Sequence, residues 1–440
     1  MTEERPLGPI KGRPFDIRSG MAPAGAAMAA GPAPRAFDHA RGSNQNGVRL
    51  YNERLVLSLI RRHRNLSKVE IARLTGLSVQ TASGIVGRLE QDGLLLRRDP
   101  QRGRVGQPAI PFTLHPEGAL SLGLKIGRRS CDLVLIDFLG HVRHRLHETY
   151  PYPLPAPLTR FVADNLERLT RTLPSEQQQR ITGLGVALPF ELWNWESEVG
   201  APAGAMQSWR SVDIQAEIAR ICPWPVSLCN DATAACGAEL FFGEGARFRD
   251  FVYFFIGSFI GGGIVLDGNL YAGRTGNAGA VGSMPIAAEG PIAAGGATQQ
   301  LIRSASIYVL EKKLIAAGKD PARIWQSPDA WGDFGPQLDE WIEETAASLA
   351  QAVVAAISVI DFEAAIIDGA FPAEVRQRIL ARTAEKVTGL DCQGLSPVQF
   401  SAGTIGSDAR AIGGAALPLL ASFARDREVL FKEPAQMAAR

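Results

Sequence analysis

The chain has 440 residues, of which 46% are hydrophobic and 21% are charged. This composition is that of a globular protein with room for two to four domains. The formal charge of +1 hides an asymmetry: residues 1–115 contain 18 Lys and Arg against nine Asp and Glu, whereas the remainder contains 28 against 36. A basic amino-terminal part and an acidic remainder, called the body, indicate that only the amino-terminal part binds the phosphates of a nucleic acid. No apolar run is long enough to span a membrane, so we expect a cytoplasmic protein without a membrane partner.

The positions of the cysteines and histidines exclude the common zinc motifs. The five cysteines include no pair at C-x-x-C spacing, and all six histidines lie at or before His147. The last two-thirds of the chain therefore cannot form a zinc site that contains histidine. We expect reduced, buried thiols and no bound metal.

The amino-terminal part predicts a disordered tail followed by a winged helix-turn-helix domain. Residues 1–48 are rich in Ala, Gly, Pro and Arg without hydrophobic periodicity, which is typical of disorder. Within residues 49–115, a first helix is predicted at Leu50–Arg62. A capping box of Ser67 and Glu70 begins a second helix, Gly76 ends it, and Ser78 caps a third. The predicted buried face of the second helix contains Val69, Ile71, Ala72 and Leu74.

The third helix has the pattern of a DNA-recognition helix. Ala82, Ile85, Val86 and Leu89 recur at helical spacing, and the opposite face is small or hydrogen-bonding without an acidic residue. Such a face suits the major groove, where polar side chains must reach base edges. A generic helical hairpin with a solvated face is the alternative. The agreement of helix, tight turn and capped helix favours DNA binding.

A basic wing follows this helix. A short strand at Leu94–Leu96 precedes arginines clustered around Gly103 and Gly106, which can reach phosphates or the minor groove. A solvated basic turn is the alternative interpretation. The predicted DNA contacts are Ser67, Ser78, Gln80, Thr81, Ser83 and Arg88 on the helices, and Arg102, Arg104 and Gln107 on the wing, beside Arg97 and Arg98.

Beyond residue 117 the pattern changes to apolar strands, glycine turns and helices of an α/β fold. Strand pairs with glycine turns occur in both halves, which suggests two similar lobes that face a cleft. The predicted strands are Ala119–Ile126, Cys131–Asp137, Ile181–Leu188, Pro225–Cys229, Asp250–Ile256, Gly263–Asp267 and Ala364–Ile367. The predicted helices are Leu158–Leu173, Ala232–Phe241, Thr298–Ala316 and Gln337–Ile360.

Several motifs in this part resemble those of ROK-family transcriptional regulators (repressors, open reading frames, kinases). They are GLGVALP at 183–189, CNDATAA at 229–235, IGSFIGGGIVLDGNLYAG at 256–273, AGAVGSMPI at 278–286 and SDARAIGGAALPL at 407–419. The resemblance implies a two-lobed, sugar kinase-like domain of the actin and RNase H-like fold. Lobe 1 would span 117–240 and be completed by a helix near 408–430, and lobe 2 would span 241–407.

The sequence departs from the kinases of this family at their phosphate, sugar and zinc motifs. Lys125 stands where those kinases carry an acidic residue near the metal, and a cation cannot help to hold Mg²⁺. The resemblance places the second phosphate-binding loop of those kinases at residues 257–261, where the bulky Phe259 would crowd an approaching phosphate. Ala280 and Ser283 replace the glutamate and histidine that the resemblance assigns to sugar and zinc. Residues 289–296 lack the cysteines of a zinc motif. We therefore expect no ATP, no zinc and no kinase activity.

Asn230 and Asp231 remain from the kinase pattern. The resemblance makes Asp231 a vestigial general base, whereas a helix-capping carboxylate or a retained ligand hydrogen bond is the favoured interpretation. Trp209 is predicted either to line the sugar side of the cleft or to lie in the core. The candidate effector-binding residues are Asn230, Asp231, Ser258, Gly261, Gly279 and Ser283.

These observations lead to one main hypothesis and two alternatives. The main one is a nucleoid-associated repressor of carbohydrate-related genes that binds a double-stranded operator as a homodimer or a dimer of dimers. A sugar or sugar derivative would act as its effector. The alternatives are a carbohydrate kinase that retained a DNA-binding domain, and a regulator that no longer senses a small molecule.

Overall fold

A computed structural model describes residues 45–100, 109–190, 192–196, 200–287, 298–326 and 330–425. The predicted tail up to residue 44 and the wing residues Arg102, Arg104 and Gln107 lie outside these ranges. The amino-terminal domain, called the head, comprises the described residues 45–100 and 109–115. It contains three helices and a small sheet of order β1-β3-β2. Its elements are α1 (Gln45–His63), β1 (Leu66–Ser67), α2 (Lys68–Thr75), α3 (Val79–Gln91), β2 (Leu95–Arg97) and β3 (Pro111–Leu114). Helix α1 therefore begins five residues before the predicted start and includes residues assigned to the tail.

The helix boundaries in the head follow from local capping. Ser67 Oγ accepts a hydrogen bond from Glu70 N, and Glu70 Oε2 accepts one from Ser67 N at 2.8 Å, so both bonds of the capping box are present. Gly76 ends α2 in the left-handed conformation at φ 72°, which glycine adopts without a Cβ clash. Ser78 Oγ accepts from Thr81 N at 3.1 Å and caps α3. These three predictions are confirmed.

The first lobe is a five-stranded sheet of order β6-β5-β4-β7-β8. Strands β6, β5 and β4 pair antiparallel, whereas β4, β7 and β8 pair parallel. The strands are β4 (Leu120–Ile126), β5 (Ser130–Ile136), β6 (Val142–Thr149), β7 (Ile181–Leu188) and β8 (Val226–Asn230). The helices that follow in sequence are α4 (Pro155–Thr170), α5 (Ser175–Gln178), α6 (Ile214–Ala219) and α7 (Asp231–Phe242).

The second lobe repeats this topology with the order β11-β10-β9-β14-β15. Again three strands pair antiparallel before two parallel pairings, so the two lobes are built alike, as the sequence predicted. The strands are β9 (Phe251–Ile256), β10 (Ile260–Leu266), β11 (Asn269–Leu270), β14 (Ala364–Gly369) and β15 (Gln399–Ala402), with a separate pair β12 (Pro285–Ala287) and β13 (Thr298–Gln300). The helices are α8 (Ile307–Ala316), α9 (Arg323–Gln326), α10 (Pro336–Val359), α11 (Ala373–Val387) and α12 (Ala409–Phe423).

Helix α12, the last described helix, returns to the first lobe and packs on β4 and β7. Glycines allow this close approach. A Cβ on Gly185 would lie 1.9 Å from the Gly414 carbonyl oxygen, and one on Gly123 would lie 2.5 Å from Ala415 N. Helix α12 also packs along α7. The pair α7 and α12 therefore lies between the first sheet and the second lobe.

Two sequence predictions about helices are wrong. Thr298–Ala316 is not one helix: Thr298–Gln300 is a strand that pairs with Pro285–Ala287, and the helix begins only at Ile307. In α2, Ile71 is buried as expected, but Val69 is 64% exposed and Leu74 is 40% exposed. The head core is closed instead by α1, α3 and the small sheet.

Among the described residues, one helix, α10, is long and apolar enough to cross a membrane by length and composition alone. Its apolar residues Leu338, Trp341, Ile342 and Leu349 are buried in the core of the second lobe. The exposed side carries acidic residues that pair with α11, including Glu343 with Arg382 and Lys386. This helix is therefore built as a core helix of a globular lobe.

Candidate functional site

The first candidate site is the outer face of α3 in the head. Ala82, Ile85, Val86 and Leu89 are buried as predicted, which turns the opposite face to solvent. Gln80, Thr81, Gly84 and Arg88 are exposed, and Ser83 is half-buried. The Gln80 amide makes no hydrogen bond to another described residue, so its donor and acceptor remain available to a ligand.

Four predicted DNA contacts are engaged within the head itself. The Ser78 and Thr81 hydroxyls lie 2.8 Å apart at the helix start. Arg88 Nε donates to Glu53 Oε1 of α1 at 3.1 Å. This pair is exposed, so Arg88 can release Glu53 and bind a DNA phosphate instead. Ser67 is only 6% exposed and its hydroxyl bonds to Glu70, which corrects its assignment as a DNA contact: it is a structural cap.

The described part of the wing carries two of the predicted arginines. Arg97 Nε and Nη2 each donate to Glu90 at 3.1 Å, a bidentate pair that fastens β2 to the end of α3. Arg98 is exposed, and its backbone N–H donates to Pro111 O. The strand expected at Leu94–Leu96 is observed one residue later, as β2.

The second candidate site is a cleft of about 1200 Å³ between the two lobes. All six candidate effector-binding residues line it: Asn230, Asp231, Ser258, Gly261, Gly279 and Ser283. Its walls also contain the aromatic residues Tyr150, Phe190, Trp195, Phe259 and Trp325. A concave surface that combines aromatic faces with a few polar groups is typical of a small-molecule site.

Lys125, at the end of β4, anchors a polar cluster in the cleft. Lys125 Nζ lies 3.2 Å from Asp132 Oδ2 and 3.3 Å from Ser130 Oγ, and Asp132 Oδ1 lies 2.8 Å from His147 Nδ1. Burial and the nearby Arg410 charge lower the pKa of Lys125, although Asp132 opposes them. Burial would raise the pKa of Asp132, but Lys125 and His147 together hold it below its usual value. Lys125 is thus a largely buried cation in the wall of the cleft.

Asp231 is paired with a cation from the other end of the chain. Arg410 Nη1, at the start of α12, lies 3.2 Å from Asp231 Oδ2, and both side chains are largely buried. The capping role expected for Asp231 belongs to Asn230, whose Oδ1 accepts from the backbone N–H groups of Ala232 and Thr233. The sequence interpretation was therefore one residue off: Asn230 caps α7 and Asp231 is held by Arg410.

Two further contacts join the lobes across the cleft. Phe259, in the turn between β9 and β10, packs between Trp195 of the first lobe at 4.8 Å and Tyr308 of α8 at 5.3 Å, measured between ring centroids. Arg128 Nη1 lies 3.3 Å from Glu311 Oε2 of α8. Trp325 Nε1 donates to the other oxygen of Glu311 at 2.8 Å.

Several of these cleft residues were not predicted from the sequence. Trp195, Trp325, Glu311 and Arg410 carry no local signal, because their partners are far away in the chain. Trp209, the one tryptophan that the sequence singled out, is a core residue: it is buried, and its indole N–H donates to Pro153 O at 3.0 Å.

The described residues contain no group of three or more His, Cys, Asp or Glu placed to hold a metal ion. In the cleft, Lys125 is a cation and Asp231 is paired with Arg410, so neither side chain offers an unpaired anionic ligand to a metal ion.

Comparisons with known proteins agree with this architecture. Residues 121–419 match the ROK family, and residues 51–104 match the MarR family. The xylose repressor of Caldicellulosiruptor bescii is 25% identical over 295 residues, which cover 65% of this chain and 72% of that protein. Two solved structures are also similar in fold. One is a ROK family transcriptional regulator described as a homolog of the Escherichia coli MLC protein (TM-score 0.59, 19% identity, 86% of this chain and 97% of that chain).

The other similar structure is a ROK family glucokinase from Streptomyces griseus in complex with glucose and AMPPNP (TM-score 0.53, 18% identity, 68% of this chain and 99% of that chain). The winged head and the two-lobed, sugar kinase-like body are thus found together here, as the sequence predicted. With most of its body matched by the family, this chain belongs to the ROK family.

Proposed function

We propose that the protein is a DNA-binding transcriptional repressor that responds to a sugar or sugar derivative. The observation that carries this proposal is the outer face of α3, which is exposed, polar and free of acidic residues at the end of a doubly capped helix-turn-helix. The basic charge of the amino-terminal part supports binding to duplex DNA. The similarity to a xylose repressor supports carbohydrate-related genes as its targets.

The cleft supplies the proposed effector site. Aromatic faces at Trp195 and Trp325 can stack on a sugar ring, and Ser258 and Ser283 can hydrogen-bond to its hydroxyls. A ligand that prefers one arrangement of the lobes shifts the protein toward that arrangement and so changes operator affinity. We propose a homodimer or a dimer of dimers, since two symmetric heads would read palindromic half-sites, and a location in the cytoplasm on nucleoid DNA.

The cleft argues against the alternative of a sugar kinase. In phosphoryl transfer, a carboxylate accepts the proton of the attacking hydroxyl and Mg²⁺ neutralises the phosphates. Here Asp231 is paired with Arg410 and Lys125 replaces the acidic residue, so neither role has a free carboxylate at these positions. Phe259 also fills the turn that would approach a phosphate.

Selection from a random duplex library tests the proposal directly. We expect the full-length protein to enrich one palindromic sequence and to lose affinity steeply as salt concentration rises. Failure to enrich any sequence at low ionic strength would contradict it. An ADP-release assay with ATP, glucose and xylose should show no turnover above background. Turnover that disappears in Asp231→Asn would instead support the kinase alternative.

Effector sensing is tested separately by thermal unfolding with xylose and glucose as probes. A ligand that binds the folded cleft raises the midpoint temperature by mass action, and a dose-dependent rise would support sensing. Release of the selected duplex by the same sugar would connect the two sites. A sugar series with no effect on either measurement favours a regulator that has lost its small-molecule input.

A further inference from the structure

The head is fastened to the body by two arginines of α1, the buried Arg54 and the half-buried Arg61. Arg61 Nη1 donates to Phe138 O at 2.8 Å, and its guanidinium lies 3.8 Å from the ring centroid of Phe241, with Phe138 and Phe242 beside it. Arg54 Nη2 and Nη1 donate to the carbonyls of Ala421 and Ala424 at 3.0 and 3.3 Å. Burial lowers the pKa of Arg61 to about 9, so it remains charged at neutral pH and prefers the aromatic faces that surround it.

Apart from Phe138, which follows β5, these anchor points lie at the carboxyl-terminal ends of two helices that begin in the cleft. Phe241 and Phe242 are the last two residues of α7, and Ala421 lies in the last turn of α12. At the opposite ends, Asp231 is the first residue of α7 and Arg410 is the second residue of α12, and these two form the ion pair inside the cleft. The helices have 12 and 15 residues and so span about 18 and 22 Å.

Close packing prevents the two helices from moving independently. A Cβ on Gly413 of α12 would lie 2.1 Å from the carbonyl oxygen of Ala234 in α7, and one on Gly237 would lie 3.1 Å from Leu420. The backbones are therefore in direct contact. Densely packed elements of this kind transmit displacement rather than absorb it.

Among the described residues, apolar side chains also pack the head against the body at this contact. Val56 and Ile60 of α1 belong to the same buried apolar cluster as Phe138, Phe241 and Leu419 of the body. Phe423, at the end of α12, packs on Phe138 with ring centroids 4.8 Å apart. A shift of the two helix ends therefore has to move α1.

We propose that α7 and α12 form a rigid connection that carries the state of the cleft to the DNA-binding head, and that Arg54 and Arg61 are the positioning residues that attach the head to it. A change at the Asp231–Arg410 pair displaces the amino-terminal ends of both helices. The displacement reaches α1 through the two arginines and changes how α3 is presented to DNA. This inference rests on the proposed function, because it explains how an effector in the cleft would change operator affinity.

A double-mutant cycle on the full-length protein tests the connection without a ligand. Arg410→Gln removes the ion pair at the cleft end, and Arg61→Leu releases the head end while it keeps an apolar side chain between the aromatic rings. We expect Arg410→Gln to change affinity for the selected duplex by about fivefold to tenfold in the wild-type background and by less than about twofold in Arg61→Leu. Arg49→Leu is the matched control. It removes the same charge from an exposed site on α1 and must leave the full effect of Arg410→Gln in place.

Hydrogen–deuterium exchange provides a second readout that requires no DNA. Arg410→Gln should alter amide exchange in Arg54–His63 of α1, and Arg61→Leu should abolish that change. Equal effects of Arg410→Gln in both backgrounds, or no effect in either, would overturn the connection. If circular dichroism shows that Arg61→Leu does not fold, Arg54→Gln replaces it. This variant tests the attachment of α1 to the carboxyl-terminal end of α12. A protein that enriches no duplex would refute the proposed function, whereas the exchange experiment would still decide whether the connection exists.

Discussion

The outer face of α3 and the cleft use polar side chains in opposite ways. On α3, Gln80 faces solvent without a protein partner among the described residues, and the Arg88–Glu53 pair is exposed. In the cleft, Lys125 is paired with Asp132 and Arg410 with Asp231, and all four side chains are largely buried. A surface that reads DNA has to keep donors and acceptors available. A buried polar cluster in the cleft has to compensate its charges with internal ion pairs.

Lys125→Met should produce the largest effect, because it separates one of these internal pairs. Lys125 and Asp132 have side chains that are each 11% exposed. Removal of one partner from a buried pair costs about 3 kcal/mol or more, since the remaining charge loses its main compensation and Asp132 keeps only the half-exposed His147 as a partner. We expect the free energy of unfolding at pH 7, measured by denaturant titration, to fall by about 3 kcal/mol.

The pH dependence of this loss identifies its cause. The pKa of Asp132 lies below its usual value in the folded wild type, so its stabilising contribution is present above the unfolded pKa of about 3.9 and is lost as the pH falls below it. Without Lys125 the folded pKa of Asp132 rises, and protonation relieves the buried charge. The difference between wild type and Lys125→Met should therefore shrink from pH 7 to pH 4.

A double variant, Lys125→Met with Asp132→Leu, is the control for this experiment. It removes both charges and should recover most of the lost stability. A loss that is the same at pH 7 and pH 4, and that the double variant does not repair, would mean that packing rather than charge explains the effect.

Local features of the sequence predicted the head well. The caps at Ser67, Gly76 and Ser78 depend on residues within four positions of each other, and each is present in the structure. The buried face of α3 follows from helical spacing alone. The same reasoning failed for Val69, because the burial of an apolar residue in a short helix depends on where the neighbouring elements pack.

The cleft could be predicted only where its residues belong to recognisable motifs. Lys125 and Asp231 were found by resemblance, but the partner of Asp231 lies 179 residues away, at Arg410. The error at Thr298–Gln300 has a similar cause, since this strand exists because it pairs with Pro285–Ala287. Contacts between distant parts of the chain leave no periodic signal in the sequence.

A smaller effect is expected for Gln80→Ala on the recognition helix. A side-chain amide can form a bidentate contact with adenine, and the loss of such a contact costs about 1–3 kcal/mol of discrimination at one base pair. We expect affinity for the selected duplex to fall by about tenfold and the preference at one position of each half-site to relax. Fluorescence anisotropy with single-substituted duplexes measures both quantities.

Gln91→Ala is the matched control for Gln80→Ala. It removes the same side chain from the other end of α3, where Gln91 is also exposed. This variant should bind like the wild type. A comparable loss in both variants would place the DNA elsewhere than at the amino-terminal half of α3.

Gly84→Ala should have the smallest effect on stability, with the opposite sign. Gly84 lies on the exposed side of α3, and a Cβ there would meet only Arg88 Nη1 at 3.8 Å. Alanine in a helix interior is favoured over glycine by about 0.5–1 kcal/mol, so thermal unfolding of the head should move to higher temperature. The added methyl group projects from the face that approaches base edges, so affinity for the selected duplex should fall while binding to random duplexes is retained. A variant that is stabilised yet binds the selected duplex like the wild type would show that this side of α3 does not enter the groove. The head would then have to read DNA through another surface.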